Sequence, residues 1–162
     1  MLRSVMQPYP DQTNGFLRDH VDLLCRSYER LLGKPLIAGA GPDPAFELFF
    51  AECVVLSHGT EEDPVFNYVN MSGMDLFEMD WDQFMVTPSR LSAEPENREE
   101  RARLMERVTN EGYIDDYSGV RIASTGHRFE IHQATVWNLV LDDGVYRGQA
   151  AVFSDWTLLP SC

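Results

Sequence analysis

The apolar positions change period twice along the chain, and those changes predict its elements. From Asn14 to Leu32 they fall at Leu17, Val21, Leu24, Tyr28 and Leu31, the four-three spacing that gathers side chains on one stripe of an α-helix. Asn14 is placed to cap that helix and Gly33 to end it. The segment LIAGAGPDP (36–44) reads as a linker, after which Pro44 opens a short helix through AFELFFAE. CVVLS (53–57) and VFNYVN (65–70) read as short strands on either side of a turn-rich HGTEEDP. Irregular apolars predict single helical turns around 71–78 and 81–85. A longer helix is predicted over 95–110, opened by Pro95 and stopped by Gly112, with Ala102, Met105 and Val108 as its apolar side. Three strands follow, about 117–124, 128–141 and 145–156, separated by STG and DDG. Asp-Gly between alternating apolar runs predicts a tight hairpin with positive φ at both central residues. The fold class is therefore α+β, a five-stranded antiparallel sheet with short helices on one face and a flanking N-terminal helix.

The longest strand, RFEIHQATVWNLVL, raises the question of function. Strict alternation puts Phe129, Ile131, Gln133, Thr135, Trp137 and Leu139 on one face, apolar at both ends and polar in the middle. An amide and a hydroxyl at the centre of a core face are either satisfied locally or aimed into a pocket. The other face, Glu130 to Val140, is half polar and suits the outside of the sheet.

Composition narrows the function classes. With 13 basic against 26 acidic residues the formal net charge is −13. Direct nucleic-acid binding needs Lys and Arg against phosphates and is not expected, nor is an anionic membrane surface. The 44% hydrophobic content supports one packed domain in 162 residues. Three cysteines without a CxxC spacing fit a reducing, cytoplasmic setting, and neither a signal peptide nor a spanning segment is visible. Residues 1–13 read as a loose arm, 14–34 as the amphipathic helix and 45–157 as the domain.

Several blocks carry a family resemblance. NYVNMSGMDLFEMDWDQF (67–84) resembles the PAS run in which a strand ends in Y-x-N and enters short helices. SRLSAEPENREERARLMERV (89–108), GYIDDYSGVRIASTGHRFEI (112–131) and VWNLVLDDGVYRGQAAVF (136–153) resemble the MEKHLA domain. That PAS-related family occurs in bacterial proteins and at the C-terminal end of some plant homeodomain-zipper transcription factors. The resemblance implies a sensory or interaction module, with any ligand between the sheet and the short helices. It adds Asn70, Trp81 and Arg121 to Gln133, Thr135, Trp137, Phe129 and Ile131 as candidate pocket residues. The stripe Leu17, Val21, Leu24, Tyr28, Leu31 either packs back on its own sheet or, as the resemblance implies, serves a homodimer, through that helix or the outer sheet face; a protein signalling partner is left unnamed.

Other chemistry is thin. NMSGMDLF lacks the cysteine of a covalent flavin site, and 95–110 lacks a histidine to ligate haem. No HxH or HxxxH pair suggests a metal, and Cys53 among apolar residues reads as a small hydrophobe. The paired acids at 61–62, 115–116 and 142–143 fall in turns. The expected function is thus a non-enzymatic sensory or interaction module that holds a small, partly apolar ligand or none and works through dimerisation or a signalling partner. The alternative is a small enzyme acting on a hydrophobic substrate, for which His58, Asp75 or Asp80 would have to reach the cavity.

Overall fold

The computed structural model describes residues 6–39, 41–93 and 98–160. Its helices are α1 (Arg18–Leu32), α2 (Pro44–Phe49), α3 (Met71–Phe77), α4 (Trp81–Phe84) and α5 (Arg98–Glu111). Its strands are β1 (Val54–His58), β2 (Phe66–Val69), β3 (Tyr113–Ile122), β4 (Arg128–Val140), β5 (Tyr146–Phe153) and β6 (Asp155–Leu158). The sheet is antiparallel with order β2-β1-β5-β4-β3, and β6 pairs with β4. Six strands stand where five were expected, because β5 breaks at Ser154 and resumes as β6 in the same register, with Thr135 opposite Val152 and His132 opposite Asp155.

The N-terminal helix keeps its predicted stripe but not its predicted start. Phe16 and Leu17 both take positive φ before Arg18, and the Asn14 side chain accepts the Leu17 N–H and the Asp11 N–H. Asn14 therefore closes a 3-10 turn instead of capping α1. Gly33 ends the helix in the left-handed conformation, as expected. The preceding segment is not loose over residues 6–13. Trp81 Nε1 donates to the Gln7 carbonyl at 2.9 Å, and the Tyr9 ring packs edge-on against Phe49 and Trp81. Residues 1–5, and Pro95 as the opener of α5, lie outside the described residues.

Leu17, Val21, Leu24 and Tyr28 are buried within the chain, and Leu31 packs beside them. The stripe lies on the outer face of the sheet, where Tyr28 meets Trp137 edge-on at 5.0 Å and Ser27 Oγ accepts the Trp137 indole N–H at 3.0 Å. A helix with one apolar stripe must bury it somewhere, and this one does so on its own sheet. Those five residues are not an open dimer surface.

On α5 the inward face is Arg101, Leu104, Met105 and Val108, spaced three, one and three. Ala102, expected inward, is exposed. The β4–β5 connection also departs from the tight hairpin. Of its turn residues only Gly144 has positive φ, and its N–H returns to the Leu141 carbonyl, so the loop is a longer turn closed by a left-handed glycine.

Candidate ligand cavity between α5 and the sheet

The central strand changes face at one residue. Gln133 has φ 50°, and Tyr117 opposes Ala134 while Gly119 opposes Ile131. One residue of β3, Ser118, thus faces two of β4, which is a β-bulge. Before it, Phe129 and Ile131 point towards the short helices and α5. After it, Ala134 and Val136 do so, and Thr135, Trp137 and Leu139 turn to α1. Gln133 itself is exposed.

That switch corrects most of the predicted pocket. Thr135 hydrogen-bonds the Tyr28 side chain, and Trp137 is sealed under α1 by Ser27 and Tyr28. Neither reaches the inner side. Asn70 is fully committed: its Oδ1 accepts from Val55 N and Gly73 N, both at 3.1 Å, and its Nδ2 donates to Leu48 O at 3.0 Å and Cys53 O at 2.7 Å. It caps α3 and ties that helix to β1, with no capacity left for a ligand. Trp81 packs against Tyr68 and Tyr9, away from the cavity. Phe129 is fully buried against Phe77 at 5.1 Å. Of the eight candidates, Ile131 and Arg121 form part of the cavity wall.

The cavity, about 50 Å³, lies between α5 and the inner face of the sheet. Its walls are mostly apolar: Leu56, Phe66, Phe77, Leu104, Ile131, Ala134, Val136 and Phe153. That volume admits a few non-hydrogen atoms, well above the ~10–15 Å³ one water requires and below the ~300–1,000 Å³ of drug-sized sites. Its polar groups are His58, Gln149, Arg101, Arg121, Tyr117 and Ser92.

Those groups are held from several elements. His58 and Gln149 oppose one another across β1 and β5, and Gln149 opposes Asn138 on β4. This polar row docks the end of α5: Asn138 Nδ2 donates to Val108 O at 2.9 Å, and Gln149 Nε2 donates to Thr109 Oγ1 at 3.1 Å and Asn138 Oδ1 at 3.0 Å. Gln149 Oε1 is buried and has no donor in hydrogen-bond geometry. Gly148, at φ 126°, brings the strand so close to β1 that a β-carbon there would strike the His58 carbonyl. Arg121 is 8% exposed, with its guanidinium 5.1 Å from the Tyr117 ring centroid, and Gly119 leaves the space that ring occupies. Arg101 Nη2 donates to Ser89 Oγ at 2.8 Å.

Electrostatics make this end of the cavity positive. Burial, then the Arg121 charge, pulls Arg101 down to about 10, so it still carries its proton at neutral pH. Burial pushes the His58 imidazole below its ordinary value and favours the neutral form. The two described thiols are poor nucleophiles: burial pushes Cys25 up to about 11 and also raises Cys53. Among the described residues no cluster of His, Cys, Asp and Glu is arranged to hold a metal.

Sequence reasoning passed over Arg101 and Gln149, and offered His58 to the cavity only under the enzymatic alternative. Arg101 lay inside a run read as a charged surface, yet it stands three and four residues before Leu104 and Met105. A charge on the apolar stripe was the available signal. No local pattern marks Gln149.

The MEKHLA domain model matches residues 18–158, so it takes in α1 and all six strands. The chain belongs to the MEKHLA domain family. A homeobox-leucine zipper protein, HOX10 of Oryza sativa, is 24% identical over 140 residues, covering 84% of this chain and 17% of that protein. The chain thus spans under a fifth of the length of the relative it matches. The fold is PAS-like. A PAS domain of a protein from Colwellia psychrerythraea superposes with TM-score 0.57 at 14% identity, covering 67% of this chain and 89% of that one. The light-state dimer of the fungal blue-light photoreceptor Vivid gives TM-score 0.55 at 11% identity, with 93% and 98% covered. No helix among the described residues is long and apolar enough to cross a membrane.

Proposed function

We propose that this MEKHLA domain is a non-enzymatic sensory module that admits a small, partly apolar molecule between α5 and the sheet. The observation that carries the reading is the cavity itself: apolar walls from four strands and α5, with polar side chains gathered at one end. A pocket of that composition fixes a ligand by a few convergent polar groups and holds it by burial. Native mass spectrometry of freshly purified protein, before and after denaturation, tests the reading. A small molecule released on denaturation supports it. A homogeneous apo mass, with no binding by any small molecule in a fragment screen, counts against it.

Self-association is the output proposed for this module. Its support is the dimer described for the fold neighbour Vivid. Because the α1 stripe is already buried, that contact must use another surface. Sedimentation over a hundredfold concentration range tests it, and a single monomer mass throughout would refute it.

The enzymatic reading retains one residue. Asp75 is exposed and Asp80 caps α4 by accepting the Gln83 N–H at 2.8 Å, whereas His58 does reach the cavity. The His58 imidazole, which burial holds towards the neutral form, has Nδ1 3.0 Å from the Gly59 carbonyl and stands in a mostly apolar wall, which suits a binding role more than a catalytic one.

A further inference from the structure

We propose that the cavity under α5 takes a small carboxylate with a short apolar tail, its head held by the guanidinium groups of Arg101 and Arg121. The inference rests on the reading of this cavity as a ligand site and adds the ligand's chemical class.

Charge distribution is the first ground. The chain carries twice as many acidic as basic residues, and several surface arginines use them: Arg26 with Asp22, Arg30 with Asp142, Arg90 with Asp63 and Arg147 with Asp143. Arg101 and Arg121 do not. Among the described residues neither has a carboxylate within ion-pair distance. Arg121 donates to the Val120 carbonyl at 2.9 Å and Arg101 to Ser89 Oγ at 2.8 Å. A guanidinium offers five N–H donors in a fork that matches a carboxylate, so most of that capacity is unspent.

Burial is the second ground. Taking two positive groups out of water near one another is costly unless an opposite charge joins them. Asp63 is close enough to be felt by Arg101, but it is half exposed and paired to Arg90 at 3.1 Å. Glu61 acts on His58. Neither acid enters the cavity wall. An anion between Arg101 and Arg121 would offset both charges.

Size and lining select the rest of the ligand. Leu104, Ile131, Ala134 and Phe153 offer nothing to a second charge. About 50 Å³ suits a head of three or so atoms with a short tail. Inorganic phosphate would satisfy the arginines but leave the apolar wall uncovered.

Methyl NMR on the full chain tests this, with butyrate, its neutral isostere butyramide and inorganic phosphate as probes. Butyrate is expected to shift the Leu104, Ile131 and Val136 methyls saturably, and butyramide to bind at least about tenfold more weakly. Arg121→Gln and Arg101→Gln are each expected to weaken butyrate about 10- to 100-fold, the worth of one charge-assisted hydrogen bond, with Arg121→Lys falling between. Unmoved Leu24 and Leu139 methyls certify the fold of each variant, and Arg101, on the half-exposed side of α5, supplies the second variant if Arg121→Gln misfolds. Equal binding of butyrate and butyramide, or butyrate binding indifferent to both variants, overturns the carboxylate assignment and leaves the cavity standing as a ligand site. Shifts from phosphate alone, or from none of the three, overturn it as well. A neutral molecule found by the mass-spectrometric experiment would do the same while upholding the sensory reading.

Discussion

The two sides of the central sheet are closed by helices of different character. On one side α1 lays Val21, Leu24 and Tyr28 over Trp137 and Leu139, and the indole N–H finds Ser27. On the other, α5 meets the sheet through only Leu104 and Val108 as buried apolar residues, docks by a row of amides and leaves a cavity with two inward arginines. The first side is closed by large buried side chains. The second keeps polar groups and space that a helix serving stability alone would have filled. Sites that bind routinely give up stability in this way.

The sharpest way to break the contrast is a charge under α1. Leu24→Asp would bury an unpaired carboxylate at a position with 0% exposure and should unfold the monomer, seen by circular dichroism, instead of splitting a dimer. A folded variant would show that α1 is dispensable to the core. Trp137→Ala should cost about 3–5 kcal/mol, whereas Leu104→Ala beside an existing void should cost about 2 kcal/mol. Denaturant midpoints measure both, and equal losses would erase the distinction.

Acid should act on both sides through buried imidazoles. On α1, His20 stacks on Tyr68 and meets Ser57 Oγ at 2.9 Å, and burial pushes its pKa down to about 4. An unfolded histidine titrates near ~6.5, so the folded protein prefers neutral His20. Its contribution is complete above that value and is lost as the pH falls towards 4. Between pH 7 and pH 5 the loss should be about 2 kcal/mol, and His58, lowered in the same sense, adds to it. His20→Gln should flatten the unfolding free energy over that interval; an unaltered slope would mean His20 is solvated.

The inward arginines offer a test of opposite sign. Arg101→Met should be neutral or should stabilise by about 1 kcal/mol, because an apolar side chain replaces a charge without a carboxylate partner. A large loss would make Arg101 a structural residue. The smallest effect belongs to the bulge. Gln133→Ala should change stability by under about 0.5 kcal/mol and leave the cavity methyls in place, since the side chain is exposed.

The sequence announced the elements better than it announced which way they face. Leu17 to Leu31 predicted α1 because a three-four stripe needs no knowledge of a partner, and Gly33 and Gly112 marked helix ends by their left-handed backbone. The site depended on alternation holding through β4, and one residue at φ 50° undid it. Neither Gln133 nor its neighbours carry the glycine that would have warned of a bulge. Arg121 was proposed from the resemblance. Arg101 was passed over because the cavity exists only once α5 is laid on the sheet, and helical spacing alone does not tell which surface that is. Asn70 was legible in its plain role, a strand-end asparagine that caps a helix.

The bulge works on the strand as an inserted letter works on a message read in triplets. Everything downstream is shifted by one place, and the shift is what sends the indole of Trp137 towards α1 and the small side chains of Ala134 and Val136 towards α5. A chain lacking position 133 would alternate without a break and still keep Trp137 under α1, because the bulge is the extra letter itself. A strand that kept Gln133 but ran through it in regular β conformation would instead face as its sequence suggests. Trp137 would then project into the space under α5, a plug made of an indole ring, while α1 would close over a hole. One left-handed backbone angle thereby decides whether this domain has a room inside it.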